Sequence, residues 1–466
     1  KTFGTSSIMI GDTDTGTIDA ANYNTGLGVG VFNALTSGDE NVMIGFAAGQ
    51  TLTTGSHNIG IGVNAVDDVS TGSFNVGIGT HAVGSTTTAS NNVGVGYAAL
   101  FANTTGAQNV AVGHRAGKTT TTGAENTVIG SFSLDNGAAN TGGLNTIVGH
   151  GAGRVITSGT NNTTLGYDAG VAITTGTYNI CIGGAGTGNS ITTGSGNIAI
   201  GSNALTTLTT STYPNIGIGE NALYSMATGY QNIAIGYRCG EACTSIGNTF
   251  MGDQAGMQAT SGNSNTFFGA NAGYELVGGN SNVCIGNSVN TGHSGSVSRI
   301  VMGSSCSGVA DNTVTFGVGS NTASLGLDGS DTSWAAASSD ERLKENIETS
   351  KLGLNFINDL RPVNYNWKKA KDVPVDMPQY KEGSEEPVLG FEYGKSQHGF
   401  IAQECKAVQD KYADDLADGF NFWIEKEDGT QTVADGNLIP VLVKAVQEMS
   451  TQVNKLKQEL ATLKGE

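Results

Sequence analysis

The feature that most constrains this chain is an internal period. Asn, a β-branched residue, a variable one, an aliphatic or aromatic one and then Gly recur as Asn41-Val-Met-Ile-Gly45, Asn58-Ile-Gly-Ile-Gly62, Asn75-Val-Gly-Ile-Gly79, Asn92-Val-Gly-Val-Gly96 and Asn109-Val-Ala-Val-Gly113. Copies begin at 7, 24, 41, 58, 75, 92, 109, 126, 145, 162, 179, 197, 215, 232, 248, 265, 282 and 299. Thirteen of the seventeen intervals are 17 residues and the others are 16, 18, 18 and 19. A register held this closely makes each copy one structural unit stacked on the next.

Within a copy, apolar and small residues alternate with period two, which predicts a β-strand. Ile59 and Ile61 then face one side, and Asn58, Gly60 and Gly62 the other. A second short segment follows, often Asn-Ala-Leu or Ala-Ala-Gly, and then a Thr-Thr-Gly turn. One coil therefore reads as a strand, a corner, a shorter strand and a turn, and stacked coils make a parallel β-solenoid. At about 4.8 Å per coil, the eighteen copies span roughly 85 Å.

A 17-residue coil has room for a narrow core only, and a lone solenoid this slim is marginal. The variable middle position is small in many copies (Gly60, Gly77, Gly94, Ala111, Ala199, Gly217, Ala234), which suits close approach of another sheet. It becomes Phe250 and Phe267 late in the array, where the packing has to change. Asn at the first motif position predicts an amide ladder. Thr54, Thr71, Thr105, Thr122, Thr175, Thr193 and Thr228 form a second row just before a Gly, which reads as turn chemistry. The alternative for that row is a flat Thr array matched to a crystalline surface such as ice. Acids here are too sparse for repeat-bound Ca²⁺.

Composition divides the chain before Trp334. The first 333 residues carry 17 acids, 6 bases and 62 Gly; the remainder carry 23 acids, 16 bases, 9 Gly and 5 of the 6 Pro. The net charge of −18 is thus −11 and −7, and it argues against nucleic acid or an anionic membrane as partner. Collagen is excluded, since Gly is not at every third position, and 38% apolar residues argue against disorder. No apolar run is long enough for membrane insertion. The chain opens Lys1-Thr2-Phe3-Gly4, neither an initiator Met nor a signal peptide, which points to further residues upstream. The expected organisation is a β-solenoid stem over 1–306, a transition over 307–333, a small α+β domain over 334–437 and a coiled-coil helix over 438–466.

In the helix, Ile439, Val446, Val453 and Leu460 fall at heptad position a, and Leu442, Met449, Leu456 and Leu463 at d. Pro440 is tolerable in a first turn. Mostly β-branched a with Leu-like d favours two parallel strands.

The chemistry concentrates after Trp334, in Ser338-Ser339-Asp340-Glu341-Arg342-Leu343-Lys344. A desolvated Lys can serve as base for a Ser nucleophile. On spacing alone the segment reads as a charged helix start with Ser339 as N-cap. Elsewhere, Asp67-Asp68 and Asp39-Glu40 are the acid pairs of the array, and on adjacent strand positions they would point apart, unlike a glycosidase pair. Cys181, Cys239, Cys243, Cys284, Cys306 and Cys405 lack metal-ligand spacing and read as packing thiols, with neither metal nor cofactor implied.

The array, over about residues 5 to 305, resembles the head repeats of trimeric bacterial adhesins and of phage tail fibres, a left-handed trimeric β-roll with an Asn-x-Val-Ala-Ile-Gly-like strand. Its 17-residue period is longer than that of the adhesins. Residues 335 to 466, with the Ser-Asp-x-Arg-x-Lys core, Leu354-Asn-Phe-Ile-Asn-Asp-Leu-Arg-Pro-Val-Asn-Tyr-Asn-Trp367, Gln397-His398-Gly-Phe-Ile-Ala-Gln-Glu404 and the helix opening at Asn437, resemble the endosialidase-type intramolecular chaperone of phage tailspikes and tail fibres.

That resemblance reverses the helix-cap reading. It implies Ser339 as nucleophile, Lys344 as base and a cut between Ser338 and Ser339, with His398 assisting or structural and Asp340 and Arg342 orienting the loop. It implies three chains rather than two, and a homotrimer in the virion tail, assembled in the host cytoplasm. The implied partners are other tail proteins upstream and a bacterial cell-surface receptor, a glycan or an outer-membrane component. The competing readings are a cellular trimeric adhesin, which needs a C-terminal membrane anchor where this chain carries a heptad helix, and an ice- or glycan-binding solenoid without proteolysis.

Overall fold

A computed structural model of the chain describes residues 7–11, 20–135, 137–211, 213–326, 335–336, 345–388, 394–416, 420, 422–426 and 429–464. The chain divides into two compact units, Lys1–Ser339 and Asp340–Glu466.

The first unit is a parallel β-solenoid. Eighteen strands, β1 (Ile8–Gly11) through β18 (Ile300–Ser304), each occupy one motif copy, and each pairs in parallel with the strand one coil away. The register is direct: Ile59 pairs with Val76, Gly60 with Gly77 and Ile61 with Ile78. The sheet does not stop at 306. Strand β19 (Thr313–Val318) continues it in parallel, and β20 (Asn321–Gly326) and β21 (Ala335–Ala336) turn back antiparallel.

The segment after each motif Gly is a turn rather than a second strand. Its residues take left-handed φ, as at Asn64 (+52°) and Val66 (+56°), which an extended strand cannot accommodate. Its amides still bond the next coil, Val66 N–H to Ala82 C=O at 3.0 Å and Thr53 N–H to Ser70 C=O at 2.9 Å. The motif Gly is doubly required. Gly62 sits at φ +137°, and a Cβ there would stand 2.6 Å from the carbonyl of Gly79.

Which side of the strand faces inward differs from the expectation that the small residue leaves room for a neighbouring chain. The middle residue points into the coil: Ala111, Ala199, Ala234, Phe250 and Phe267 are fully buried. The flanking aliphatics point outward, with Ile59 36% and Ile61 38% exposed. The small middle residue is small because the turn fills the same space. Val66 and the Ala82 carbonyl crowd Gly77, and Val83 crowds Gly94. Opposite the two Phe strand residues the turn residue is Gly: a Cβ on Gly256 would lie 2.8 Å from the Phe250 ring, and one on Gly273 2.3 Å from Phe267. The coil keeps its width, and the large and small partners exchange places. Phe250 and Phe267 stack at 5.1 Å.

The Asn ladder forms inside the coil. Asn58 Oδ1 accepts the Asn75 backbone N–H (2.9 Å) and Asn75 Nδ2 (3.1 Å). Asn58 Nδ2 donates to Asn41 Oδ1 (3.1 Å) and Gly72 C=O (2.9 Å). The pattern runs from Asn24, whose N–H donates to Ser7 Oγ at 2.9 Å, to Asn282, whose Oδ1 accepts Arg299 N–H at 3.0 Å. Arg299 ends it: its Nη1 donates to Thr291 C=O at 2.6 Å and its Nη2 pairs with Asp311 at 2.8 Å. The Val297 N–H and this guanidinium hold the Asp311 carboxyl below its usual range.

The second unit is small and mixed. It contains α1 (Leu354–Asp359), a hairpin-like pair β22 (Val363–Tyr365) and β23 (Gln397–Gly399), α2 (Ala402–Lys411), a pair β24 (Trp423–Glu425) and β25 (Gln431–Val433), and α3 (Leu438–Lys464). Its core is Leu352, Phe356, Leu360, Cys405, Phe422, Leu438 and Val441. Phe356 lies edge-on to Tyr412, Phe420 and Phe422. The core therefore includes the first turns of α3, and Glu448 from that helix accepts the Leu354 N–H at 2.8 Å, capping α1. Among the described residues no helix is long and apolar enough to cross a membrane.

Candidate functional site

Of the residues implicated in cleavage, Ser338, Ser339, Asp340, Arg342 and Lys344 lie outside the described residues. His398 is on β23, with its side chain exposed and its backbone opposite Asn364 of β22. The pairing is antiparallel, Val363 against Gly399 and Tyr365 against Gln397, so the two sequence blocks singled out above, around residues 354–367 and 397–404, are adjacent in space.

A second link joins them. Arg361, just before β22, forms a two-pronged pair with Glu404 in the first turn of α2, Nε to Oε2 at 2.9 Å and Nη2 to Oε1. The guanidinium holds the Glu404 carboxyl below its usual range, and an acid in a first helical turn also suits the helix dipole. Asp359 at the end of α1 accepts from Lys411 Nζ (2.7 Å) and Tyr412 OH (2.6 Å), which ties α1 to the end of α2 and likewise lowers the Asp359 carboxyl. These pairs tie α1 and the start of β22 to α2. The sequence reading missed Arg361, although its place in the Leu-Arg-Pro-Val stretch was visible.

On the long helix, the eight heptad residues Ile439, Leu442, Val446, Met449, Val453, Leu456, Leu460 and Leu463 are all exposed, between 42% and 86%. Leu438, Val441 and Ala445, on another face, are buried in the unit's own core. One face of α3 thus completes the monomer, and the apolar seam is left open.

The rod offers other chemistry. Thr54, Thr71 and Thr105 are exposed, whereas the hydroxyls one residue earlier form a ladder of their own, Thr53 Oγ1 to Ser70 C=O at 2.8 Å and Thr104 Oγ1 to Thr121 C=O at 3.1 Å. His81, Tyr97, His114, Phe132, His150 and Tyr167 follow one another in ring contact along the surface, with centroids 4.9 to 6.5 Å apart. The acid pairs are in turns rather than on strands: Asp39 accepts the Asn22 N–H at 2.6 Å, and Glu40 pairs with His57 at 3.0 Å. The six cysteines are free and buried, and burial pushes the thiols of Cys181, Cys239 and Cys284 up to about 12, far from a reactive thiolate. Among the described residues no cluster of three or more His, Cys, Asp or Glu could hold a metal ion.

Residues 339–414 match the model of the family described as the chaperone of endosialidase. The match starts at Ser339 and takes in Arg361, His398 and Glu404. Apart from Ser339 the match lies within the C-terminal unit and so follows the parallel β-solenoid along the chain. No curated protein and no solved structure matches the chain.

Proposed function

We propose that the chain is the stem of a homotrimeric bacteriophage tail fibre or tailspike that serves host attachment, assembled by a C-terminal chaperone which then severs itself. The observation that carries this is the open seam of α3: eight exposed aliphatic residues at heptad spacing on a helix whose other face is already used. Exposure of such a seam is costly in water, and copies of the same helix bury it best.

Cleavage would run within one chain. Ser339 Oγ attacks the Ser338 carbonyl carbon while Lys344 takes the hydroxyl proton. Lys344 passes that proton to the Ser339 nitrogen, the Ser338–Ser339 amide bond breaks with the nitrogen leaving as the amine, and an ester joins the Ser338 carbonyl to Ser339 Oγ. Water hydrolyses the ester and frees the chaperone, whose chain now begins at Ser339.

The purpose is physical. Parallel coils pair identically at every 17-residue offset, so slipped registers are close competitors, and non-local parallel pairing is slow to form. A trimerising domain aligns the chains from one end, and its removal leaves the rod kinetically trapped.

Light scattering of the full chain should give three chain masses; a dimer overturns the trimer. A denaturing gel with intact mass should show a fragment beginning at Ser339 in the wild type and none in Ser339→Ala. A Ser339→Ala protein that still cuts, or a wild type that never does, overturns the Ser-Lys assignment.

A further inference from the structure

The outward face of the rod's strands is a second apolar surface that the helix seam does not account for. We infer that copies of this chain meet along this aliphatic row, coil against coil, and not along the row of small residues. The inference rests on the oligomer proposed above and names the face it uses.

The cores of the eighteen motif strands contain no charged residue, and the outward positions hold Ile, Val, Leu, Met, Phe or Thr in nearly every coil. Exposure persists along the row, at Ile78 (38%), Ile129 (40%) and Leu165 (45%). The row continues past the last motif, from Met302 into Phe316 and Val318. The small residues cannot serve, because they are inside: Gly60, Gly77 and Gly94 are buried against Ala65, Val66, Ala82, Val83 and Ala99.

The size fits a partner. Nineteen strands at about 4.8 Å, each three residues of about 3.3 Å wide, present a strip of roughly 900 Å². A stable interface needs about 800 Å² per partner, and monomers rarely leave a contiguous apolar patch of more than a few hundred Å² open. The period identifies the occupant. Branched side chains repeating every coil along the whole rod are matched in step by a partner with the same repeat, and a second copy of this chain has it. Around a shared axis, Ile61 of one copy then faces Ile61 of the others.

The test is paired cysteine placement in the full chain, in which the native thiols are buried. Ile61→Cys on the strand face and Thr105→Cys on the exposed turn row are compared under mild oxidation and with a short bis-maleimide, with light scattering on the same samples. We expect at least tenfold more cross-linked chain from Ile61→Cys than from Thr105→Cys. An oligomer that cross-links at Thr105→Cys and not at Ile61→Cys overturns the face and leaves the oligomer standing. A monomer overturns the oligomer, and the face with it. As a second variant, Ile61→Glu with Ile78→Glu should lower the rod's thermal midpoint or its oligomer yield, and a rod indifferent to both charges also overturns the inference.

Discussion

The rod and the C-terminal unit solve the same problem in opposite ways. In the rod, the repeated Asn and Thr groups find partners one coil away. Asn58 bonds Asn41 and Asn75, and Thr53 bonds Ser70, so the same contacts recur down the stack. In the C-terminal unit the contacts are singular. Arg361 meets Glu404, Lys411 meets Asp359, and Glu448 caps α1 from 94 residues away. Repetition makes the rod cheap to extend but leaves its register nearly degenerate. Singular contacts make the C-terminal unit slow to duplicate by accident and well suited to setting a register. On the function proposed above, the combination gives a rod with a nearly degenerate register a domain able to set it.

This contrast can be broken at the ladder first. Asn109→Leu keeps approximate volume and removes four hydrogen bonds, to Asn92, Gly123 and twice from Asn126. At about 1 kcal/mol each, and more where donors are left orphaned in the interior, the cost is about 4 kcal/mol or above. Urea unfolding of the rod should show it. A loss below about 1 kcal/mol would mean that the ladder is decorative.

The exchange of large and small residues inside the coil can be tested next. Phe267→Ala should cost about 3 kcal/mol through the cavity it leaves. Adding Gly273→Leu should recover a substantial part, because Ala199 with Leu205 and Gly217 with Leu223 already use that combination, with Leu205 and Leu223 at left-handed φ of +52°. No recovery in thermal unfolding would refute the compensation.

In the C-terminal unit, Leu456→Glu places a charge in the open seam of α3. Self-association should weaken at least tenfold by sedimentation, while the far-UV helical signal at high concentration of the variant stays within about 10% of wild type, since Leu456 makes no part of the unit's core. A variant that associates normally would place the seam elsewhere.

The smallest effect belongs to surface charge. Lys369 and Lys371 hold the Glu385 carboxyl at about 2. A carboxylate depressed in the folded state stabilises above its unfolded pKa, so this contribution is complete above about pH 4.5 and is lost as pH falls toward 2. Glu385 itself is exposed, so the thermal midpoint should differ between wild type and Glu385→Gln by no more than about 2 °C at pH 6, and the difference should vanish near pH 2.

Much of the rod was legible. The strand positions, the direct register and the amide ladder follow from the Asn and Gly spacing, because a 17-residue repeat of strand-forming residues sets like positions over one another. The heptads of α3 were equally plain. The chaperone segment was legible through its motif, while the Arg361–Glu404 link was not, since nothing in the spacing of residues 43 apart announces that they meet. The hydroxyl ladder was not legible: Thr54 before the Gly reads as turn chemistry, and it is the preceding hydroxyl, at Thr53, that reaches the next coil.

Sequence alone determined that this chain is a stack of strands, with two faces on each strand. It did not determine which face is inside. Period-two alternation separates Ile59 and Ile61 from Asn58 and Gly60, but it is symmetric between core and surface. The tertiary structure broke that symmetry for two reasons visible only in three dimensions. Asn58 needs the Gly72 carbonyl from across the coil to complete its bonding, which only an inward amide can reach. And the turn side chains Val66 and Val83 occupy the volume opposite the strand, leaving spaces that Gly77 and Gly94, respectively, fit and Ile does not.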